Sequence, residues 1–507
     1  MKKIFALILI LLITALVVVM VGAGLLVLNE GKRALGIPVC WINKVTESKK
    51  GAEEEGTDAD IDLLLLKNKI IIESGSFDIN IKYVDPAGNF RTENKIYVIM
   101  NSKVMGFTSD ENPKVEWSVK NDAVRQAVVI STTQPNGWLF ANRCSLDIEV
   151  THPSLSNLEI TTNGKVKVDS SIQNITNLSI TSNNNSDNNA MVYCRVGSFT
   201  LNNPNGSGNY ETFNGNLIIN SKYGAFTFKQ INGNVKATGT SMDLTIDNLV
   251  GDLDYNVEYG RGNFGTIGKS ARFVSKGTDV VAKKINGSIT VESGGDSTFD
   301  IKNNGTTHLA HVNVINMNKG KFKLANSFYK TTVKAVGGSV EIVNAKDIVE
   351  INPKTAPDAI IDSKTDVVVS FASKNEIDNA VSGNLLTINT KGKITATKLV
   401  NAVNIVGLDN KQIYLEFTEV NKNSTVTSAS GEIVIKVPNN QNFKVEATTK
   451  KPEYVNFGVS TGEKVLTQDA SNGLKTMTYV VGDSALAANT IKLNTYDKIK
   501  ISSIQVG

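Results

Sequence analysis

Residues Asn214–Tyr255 read NGNLIINSKYGAFTFKQINGNVKATGTSMDLTIDNLVGDLDY, and this stretch decides the fold. Asn-Gly recurs at 214–215 and 232–233, and a third glycine follows at 251. Leu217 and Ile219, Val235 and Ala237, and Leu253 and Tyr255 stand two and four positions after those glycines. Alternation of this kind marks a half-buried strand, because successive side chains point to opposite faces. A second alternating run begins about eleven residues after the glycine: Phe226 and Phe228, then Leu244 and Ile246.

The phase extends outward from there. Glycines at 197, 215, 233, 251, 268 and 287 are spaced by 18, 18, 18, 17 and 19 residues. Gly164, Gly320 and Gly338 lead similar phrases, as in Gly338 before Val340 and Ile342. A repeat of about 20 residues is too short to bury a face alone, so successive repeats must stack on one another. The fold predicted is therefore all-β, a β-solenoid resembling a parallel β-helix with coils of about 18 residues. The same Asn-Gly pairs between alternating flanks would also suit a β-sandwich of hairpins. The tight period and the lack of long loops favour the solenoid. The Asn-Gly pairs are expected to turn the chain through positive φ. Asn214, Asn232 and Asn286 either stack into hydrogen-bonded ladders or serve only as turn residues.

The rest of the chain is read against this core. Ile4–Leu28 is an uncharged apolar run of 25 residues. About 20 helical residues span a bilayer's hydrocarbon core, so residues 1–30 read as one transmembrane helix with a short cytoplasmic tail. A cleaved signal peptide is the alternative, with Val21-Gly22-Ala23 as the cleavage site, but its apolar region is usually shorter. Positive charges nearly balance across the run, and the short N-terminal tail favours a C-terminal domain outside the cell. Residues 31–60 read as a charged linker, with NKVTESKKGAEEEGTDAD over 43–60. Residues 61–157 lack the phase and read as an N-terminal β-region or cap, 158–406 as the solenoid, and 407–507 as a C-terminal strand region.

Composition narrows function. The chain has 507 residues, with 53 basic and 49 acidic, a net charge of +4. Near balance argues against nucleic acid, which calls for a concentrated basic face. Three Cys exclude a disulfide scaffold, and three His leave little material for metal or proton chemistry. His308 and His311 are the close histidine pair, yet three residues apart on a strand they face opposite ways. No cofactor is expected and no residue is assigned to catalysis, cofactor binding or metal. Asp252 and Asp254 share a face and could form a carboxylate pair acting on a glycan, as a carbohydrate-active β-helix enzyme would need. The plainer reading makes them outward neighbours of inward Leu253 and Tyr255. Tyr223, Tyr255 and Tyr259 could line a sugar-binding stripe or pack into the core. Cys144 and Cys194 could pair outside the cell, leaving Cys40 odd, or remain buried thiols. Sequons at Asn174, Asn177, Asn205, Asn286, Asn304 and Asn423 are what an Asn-, Ser- and Thr-rich chain yields by chance.

The phrases SGSFDINIKY (74–83), LEITTNGKVKVDSS (158–171), the NGNLIINS and NGNVKATG units and SASGEIVIKVPNNQNFKVEATT (428–449) resemble the bacterial β-strand-repeat family called putative adhesins. The resemblance covers roughly residues 61–507, with Asn where many members carry Ser or Asp. It implies an extracytoplasmic β-repeat domain behind a membrane segment, and it supplies no functional residues. The expectation is a non-enzymatic, membrane-anchored protein that binds a cell-surface glycan or protein, or scaffolds the envelope. An envelope-stress accessory protein that binds a membrane partner is the rival reading.

Overall fold

The computed structural model describes residues 11–15, 33–34, 37–50, 69–88, 95–108, 110, 114–182, 190–192, 195–202, 205–302, 312–328, 330–353, 363–377 and 384–504. Strands dominate, with three short 3-10 turns at Lys374–Glu376, Pro452–Tyr454 and Ser471–Gly473. The chain divides into two compact units, Met1–Phe226 and Thr227–Gly507, the boundary falling inside the strand Asn216–Ile231.

In the coils of the second unit each strand pairs in parallel with the one a coil away. Val235–Leu249 lies parallel to Leu253–Ile267, with Val235 opposite Leu253 and Leu249 opposite Ile267. Leu253 then opposes Ala271, and Ala271 opposes Ile289. Parallel pairing of successive coils is the solenoid that the glycine phase predicts. Equivalent residues therefore stack in columns. One column runs Ala237, Tyr255, Phe273, Val291, and a second wall carries Val280, Phe299, Phe322, Val340, all of them buried. Between the walls, Tyr255, Phe264, Phe273 and Phe299 form a chain of ring contacts with centroids 5.6–6.0 Å apart. Aromatic pairs at such spacing add stabilisation beyond the area they bury. The step lengthens later, Ile289 opposing Val312 and Val349 opposing Leu386, which is why the sequence phase fades there.

At Gly251 and Gly268 the glycine phase has a different cause from the one expected. A Cβ on Gly251 would lie 2.2 Å from the Gly233 carbonyl oxygen, and one on Gly268 would lie 2.3 Å from that of Val250. Neither residue is left-handed; positive φ among glycines falls at Gly137, Gly260, Gly320, Gly338, Gly473 and Gly482. Gly251 and Gly268 are thus required where one coil's backbone rests on the next, while Gly320 and Gly338, in the same phase, meet the coil behind them and also take positive φ, 89° and 82°. Left-handed corners elsewhere are taken by Asn326, Asn344 and Asn352, with φ of 50°, 58° and 48°. Asn tolerates that conformation better than most residues.

Side-chain ladders join successive coils. The Asn344 side-chain amide donates to Asn326 Oδ1 at 2.8 Å, one coil of 18 residues away. A second ladder joins side chain to backbone: Asp252 N–H donates to Asn234 Oδ1, Ser270 N–H to Asp252 Oδ1, and Ser288 N–H to Ser270 Oγ. Each rung satisfies an amide at a corner, where it has no strand partner.

In the first unit the coils begin earlier than the sequence phase suggested. Lys69–Glu73 pairs in parallel with Ala127–Thr133 and with Ser154–Thr161. Asp78–Tyr83 does the same with Gly137–Val150 and Val166–Val168. The stack continues through Asn174–Thr181 and Arg195–Asn202, with Leu158, Leu178 and Phe199 in one buried column. The region 61–157 is therefore part of the coil stack as well as its cap. Antiparallel strands close it: Glu116–Asp122 on Ala127–Thr133, Ile96–Thr108 on Gly137–Val150, and Ile37–Lys50 on Ile96–Thr108. This last strand corrects the linker reading over 37–50. Charged KVTESKK lacks apolar alternation, but backbone pairing in an antiparallel ladder does not depend on it.

The second unit is closed by the same device. Asn489–Asn494 lies between Ser424–Ser428 and Phe443–Thr449, and Ile499–Ile504 between Ile433–Pro438 and Val455–Gly458. Lys475–Val481 and Gly462–Asp469 then add antiparallel strands. In each unit one strand pair is seated inside the stack, between strands other than its sequence neighbours. The 407–507 region is thus solenoid too, threaded out of order.

Of the apolar run Ile4–Leu28, residues 11–15 are described; they are helical and exposed. Among the described residues no helix is long and apolar enough to cross a membrane.

Candidate binding surface

With alternate residues turned inward, the others form columns on the outer faces, and the charges in those columns are arranged by the coil step. In the second unit, Arg272 Nη1 lies 3.2 Å from Asp254 Oδ1 one coil back, and Arg272 Nη2 lies 3.6 Å from Glu292 one coil on. Lys276 reaches Glu258 at 2.7 Å, Lys323 reaches Glu341 at 2.9 Å, and Lys500 reaches Glu432 at 2.7 Å. Residues in one column are only about 4.8 Å apart, so like charges stacked there would repel. Alternating their sign removes that repulsion. The pairs shift titration as expected: hydrogen bonding to Glu258 raises the Lys276 pKa, and the Lys500 ammonium and Gln412 amide lower that of Glu432. Each exposed pair contributes little to stability, about 0–1 kcal/mol. Their effect is a mixed-charge surface, consistent with the near-balanced composition.

The residues singled out from the sequence fall mainly into structural roles. Asp252 and Asp254 do not form a free carboxylate pair: Asp252 caps the Ser270 amide at 3.0 Å, and Asp254 holds Arg272. Tyr255 is fully buried and its hydroxyl donates to the Met242 carbonyl at 3.2 Å, whereas Tyr223 and Tyr259 are 46% and 49% exposed. The three tyrosines therefore make no common stripe. Cys144 is a buried free thiol, and burial raises its pKa. Cys194, His308, His311 and Asn304 lie outside the described residues, and with Cys194 the pairing Cys144–Cys194. No group of three or more His, Cys, Asp or Glu able to hold a metal occurs among the described residues.

A feature that the sequence did not mark is an open groove in the first unit, of about 460 Å³, on the cap strands Glu116–Asp122 and Ala127–Thr133. Lys114, Glu116, Trp117, Lys120, Ser131 and Thr133 line it. Trp117 is 9% exposed, so it forms the floor rather than a free stacking platform. Only the register of the antiparallel pair, Glu116 opposite Thr133 and Ser118 opposite Ser131, brings these residues together.

Comparison with protein-family models and with curated proteins finds no match. Among solved structures, the chain is similar to one described as a putative cell adhesion protein from Clostridium sporogenes ATCC 15579. That match has 10% identity, spans 91% of this chain and 100% of the other, and has a TM-score of 0.12. A likeness at that score carries no argument. The fold class thus rests on the strand register: an all-β chain with long parallel sheets of the solenoid kind.

Proposed function

We propose that the chain is a membrane-anchored, extracytoplasmic β-repeat protein that binds or scaffolds a surface without catalysis. The observation that carries this reading is the pair of outer faces, whose polar columns repeat coil by coil with opposite charges neutralised. Such a face offers many similar weak contacts. Repetition and clustering on a membrane multiply them into a firm attachment. The partner is a cell-surface glycan or protein, since the mixed-charge faces do not suit a polyanion. The anchor is the apolar run Ile4–Leu28.

Protease shaving of intact cells tests the reading, with an epitope tag after Gly507 and adherence measured with and without the gene. Loss of the tag without lysis, together with reduced adherence on deletion, is expected. A tag protected until lysis, under a protease proven active, overturns it. Altered envelope-stress signalling with unchanged adherence transfers the role to a membrane partner.

A further inference from the structure

The outer columns of the second unit carry charges neutralised one coil away, as Arg272 is by Asp254 and Lys276 by Glu258. One corner departs from this. Asp243 lies opposite Arg261, and Arg261 opposite Asp279, at coil steps of about 4.8 Å. The signs alternate as in the other columns, and all three residues are exposed. Yet among the described residues none of the three side chains makes an ion pair or a hydrogen bond. Asn263, two residues on from Arg261, is exposed and equally unengaged.

Beside them stands an aromatic ring that the core does not take. Tyr259, two residues before Arg261, is 49% exposed, although Tyr255 is fully buried. Its ring uses the space left by Gly277 one coil on, where a Cβ would lie 2.9 Å from the ring's Cδ1. Gly260, between ring and guanidinium, has φ of 124°, and a Cβ there would meet the Met242 carbonyl oxygen at 2.3 Å. Only glycine suits such a bend. Two glycines thus set one half-exposed tyrosine beside one unpaired arginine.

We infer that this corner is a subsite for a neutral glycan, taking one hexose ring. The inference rests on the surface-binding reading above and narrows its partner. A hexose ring has a face of C–H groups and a rim of hydroxyls. The negative face of an aromatic ring suits the first. For the rim, carboxylates accept from hydroxyls, and a guanidinium donates several bonds in a fixed fork. Asp243 and Asp279 stand two coil steps apart, about 9.6 Å, with Arg261 midway. Two carboxylates against one guanidinium leave the corner negative, which disfavours an acidic sugar. A protein interface of ordinary size is built round an apolar core, whereas here a single ring stands among polar groups.

The test applies the purified full chain, in a detergent without a sugar headgroup, to an array of oligosaccharides. The array holds neutral forms of glucose, galactose, mannose and N-acetylglucosamine, with sialylated and sulfated forms beside them. Binding of at least one neutral probe is expected. Tyr259→Ala and Arg261→Ala should each weaken it about tenfold. Tyr259→Phe should stay within a few fold, because the ring and not its hydroxyl makes the stack. Gly277→Ala, which pushes the ring from its place, should weaken binding as well. Tyr496→Ala removes a tyrosine just as exposed, at 46%, and should change nothing. No neutral probe bound by the wild type overturns the inference. So does binding confined to acidic probes, binding that survives both Tyr259→Ala and Arg261→Ala, or equal loss with Tyr496→Ala. The bound probe should also protect the peptide over 255–263 from hydrogen exchange in the wild type. That measurement decides the matter even where a variant fails to fold, and absent protection overturns the site. Unbound neutral probes, with adherence still lowered on deletion of the gene, overturn this subsite and leave the surface-binding reading standing.

Discussion

Gly251→Ala should break the stack at one corner, because the added methyl has nowhere to go. Its Cβ would sit 2.2 Å from the Gly233 carbonyl oxygen, where 3.0 Å is the closest approach that real Cβ atoms tolerate; the coils must part by about 0.8 Å, the difference of the two. The obstacle is backbone, which cannot rotate aside. Two hydrogen bonds stretch with it: Gly251 N–H to Gly233 O at 3.1 Å, and Asp252 N–H to Asn234 Oδ1 at 2.9 Å. Overpacking costs about 1–3 kcal/mol, and each weakened bond adds about 0.5–1.5 kcal/mol. Removing a glycine from the unfolded chain offsets roughly 0.4–1 kcal/mol. The net expected loss is about 2–4 kcal/mol. Gly294→Ala is the control, since its nearest neighbours lie 4.0 Å away and its φ is ordinary. It should be neutral or mildly stabilising. Urea denaturation followed by circular dichroism gives the overall change, and hydrogen exchange of the peptides covering 231–271 gives the local one. Equal stability of Gly251→Ala and Gly294→Ala would refute the claim that contact between coils sets the glycine phase.

Four further outcomes follow from the same packing. Tyr255→Phe should cost about 0.5–1.5 kcal/mol through the lost bond to Met242, and Tyr255→Ala about 3–5 kcal/mol, both read from denaturation midpoints; similar losses for the two would contradict the core role. Arg272→Ala should cost no more than about 1 kcal/mol, with the difference shrinking at high salt; a salt-independent loss of several kcal/mol would show that Arg272 does more than neutralise its column. Glu432 has a lowered pKa, so its stabilisation is complete above the ordinary glutamate value of about 4.3 and is lost as pH falls through the depressed value; Glu432→Gln should flatten the acid limb of the stability curve, and an unchanged limb would refute the linkage. The Cys144 thiol should resist a thiol reagent until the chain is denatured, in a Cys40→Ser, Cys194→Ser background; immediate labelling would refute its burial.

The regular middle of the fold was legible because a coil of 18 residues repeats its pattern in the chain. Leu253 and Tyr255 announce an inward wall by alternation alone. The reason for the glycines was not legible: Gly251 looks like a turn residue, and only the neighbouring coil shows that contact demands it. The threaded strand pairs were hidden for a related cause. Asp78–Tyr83 and Ile499–Ile504 carry ordinary strand patterns, which reveal which face is buried but not which strand lies alongside. The groove at Trp117 was invisible because its walls come from two strands whose register is set by a turn. Asp252 and Asp254 were readable as outward residues, and their Ser270 and Arg272 partners lie a single coil away, at the spacing the repeat had already marked.

The inward seating of Asn489–Asn494 and Ile499–Ile504 also sets an order of events during synthesis. Phe443–Thr449 emerges from the ribosome before the strand it will rest on exists. Coils up to Ile433–Pro438 can zip up as they appear, each upon its predecessor. The next step must wait, because Thr490 reaches back to Asn423 over 67 residues and Thr495 to Gly431 over 64. Closing so long a loop is the slow, entropically costly kind of event. Until it happens, the growing stack has an open edge, and Ile433–Pro438 is the strand most exposed to a wrong partner. This strand pair therefore serves as a latch: its arrival closes the open edge of the growing stack.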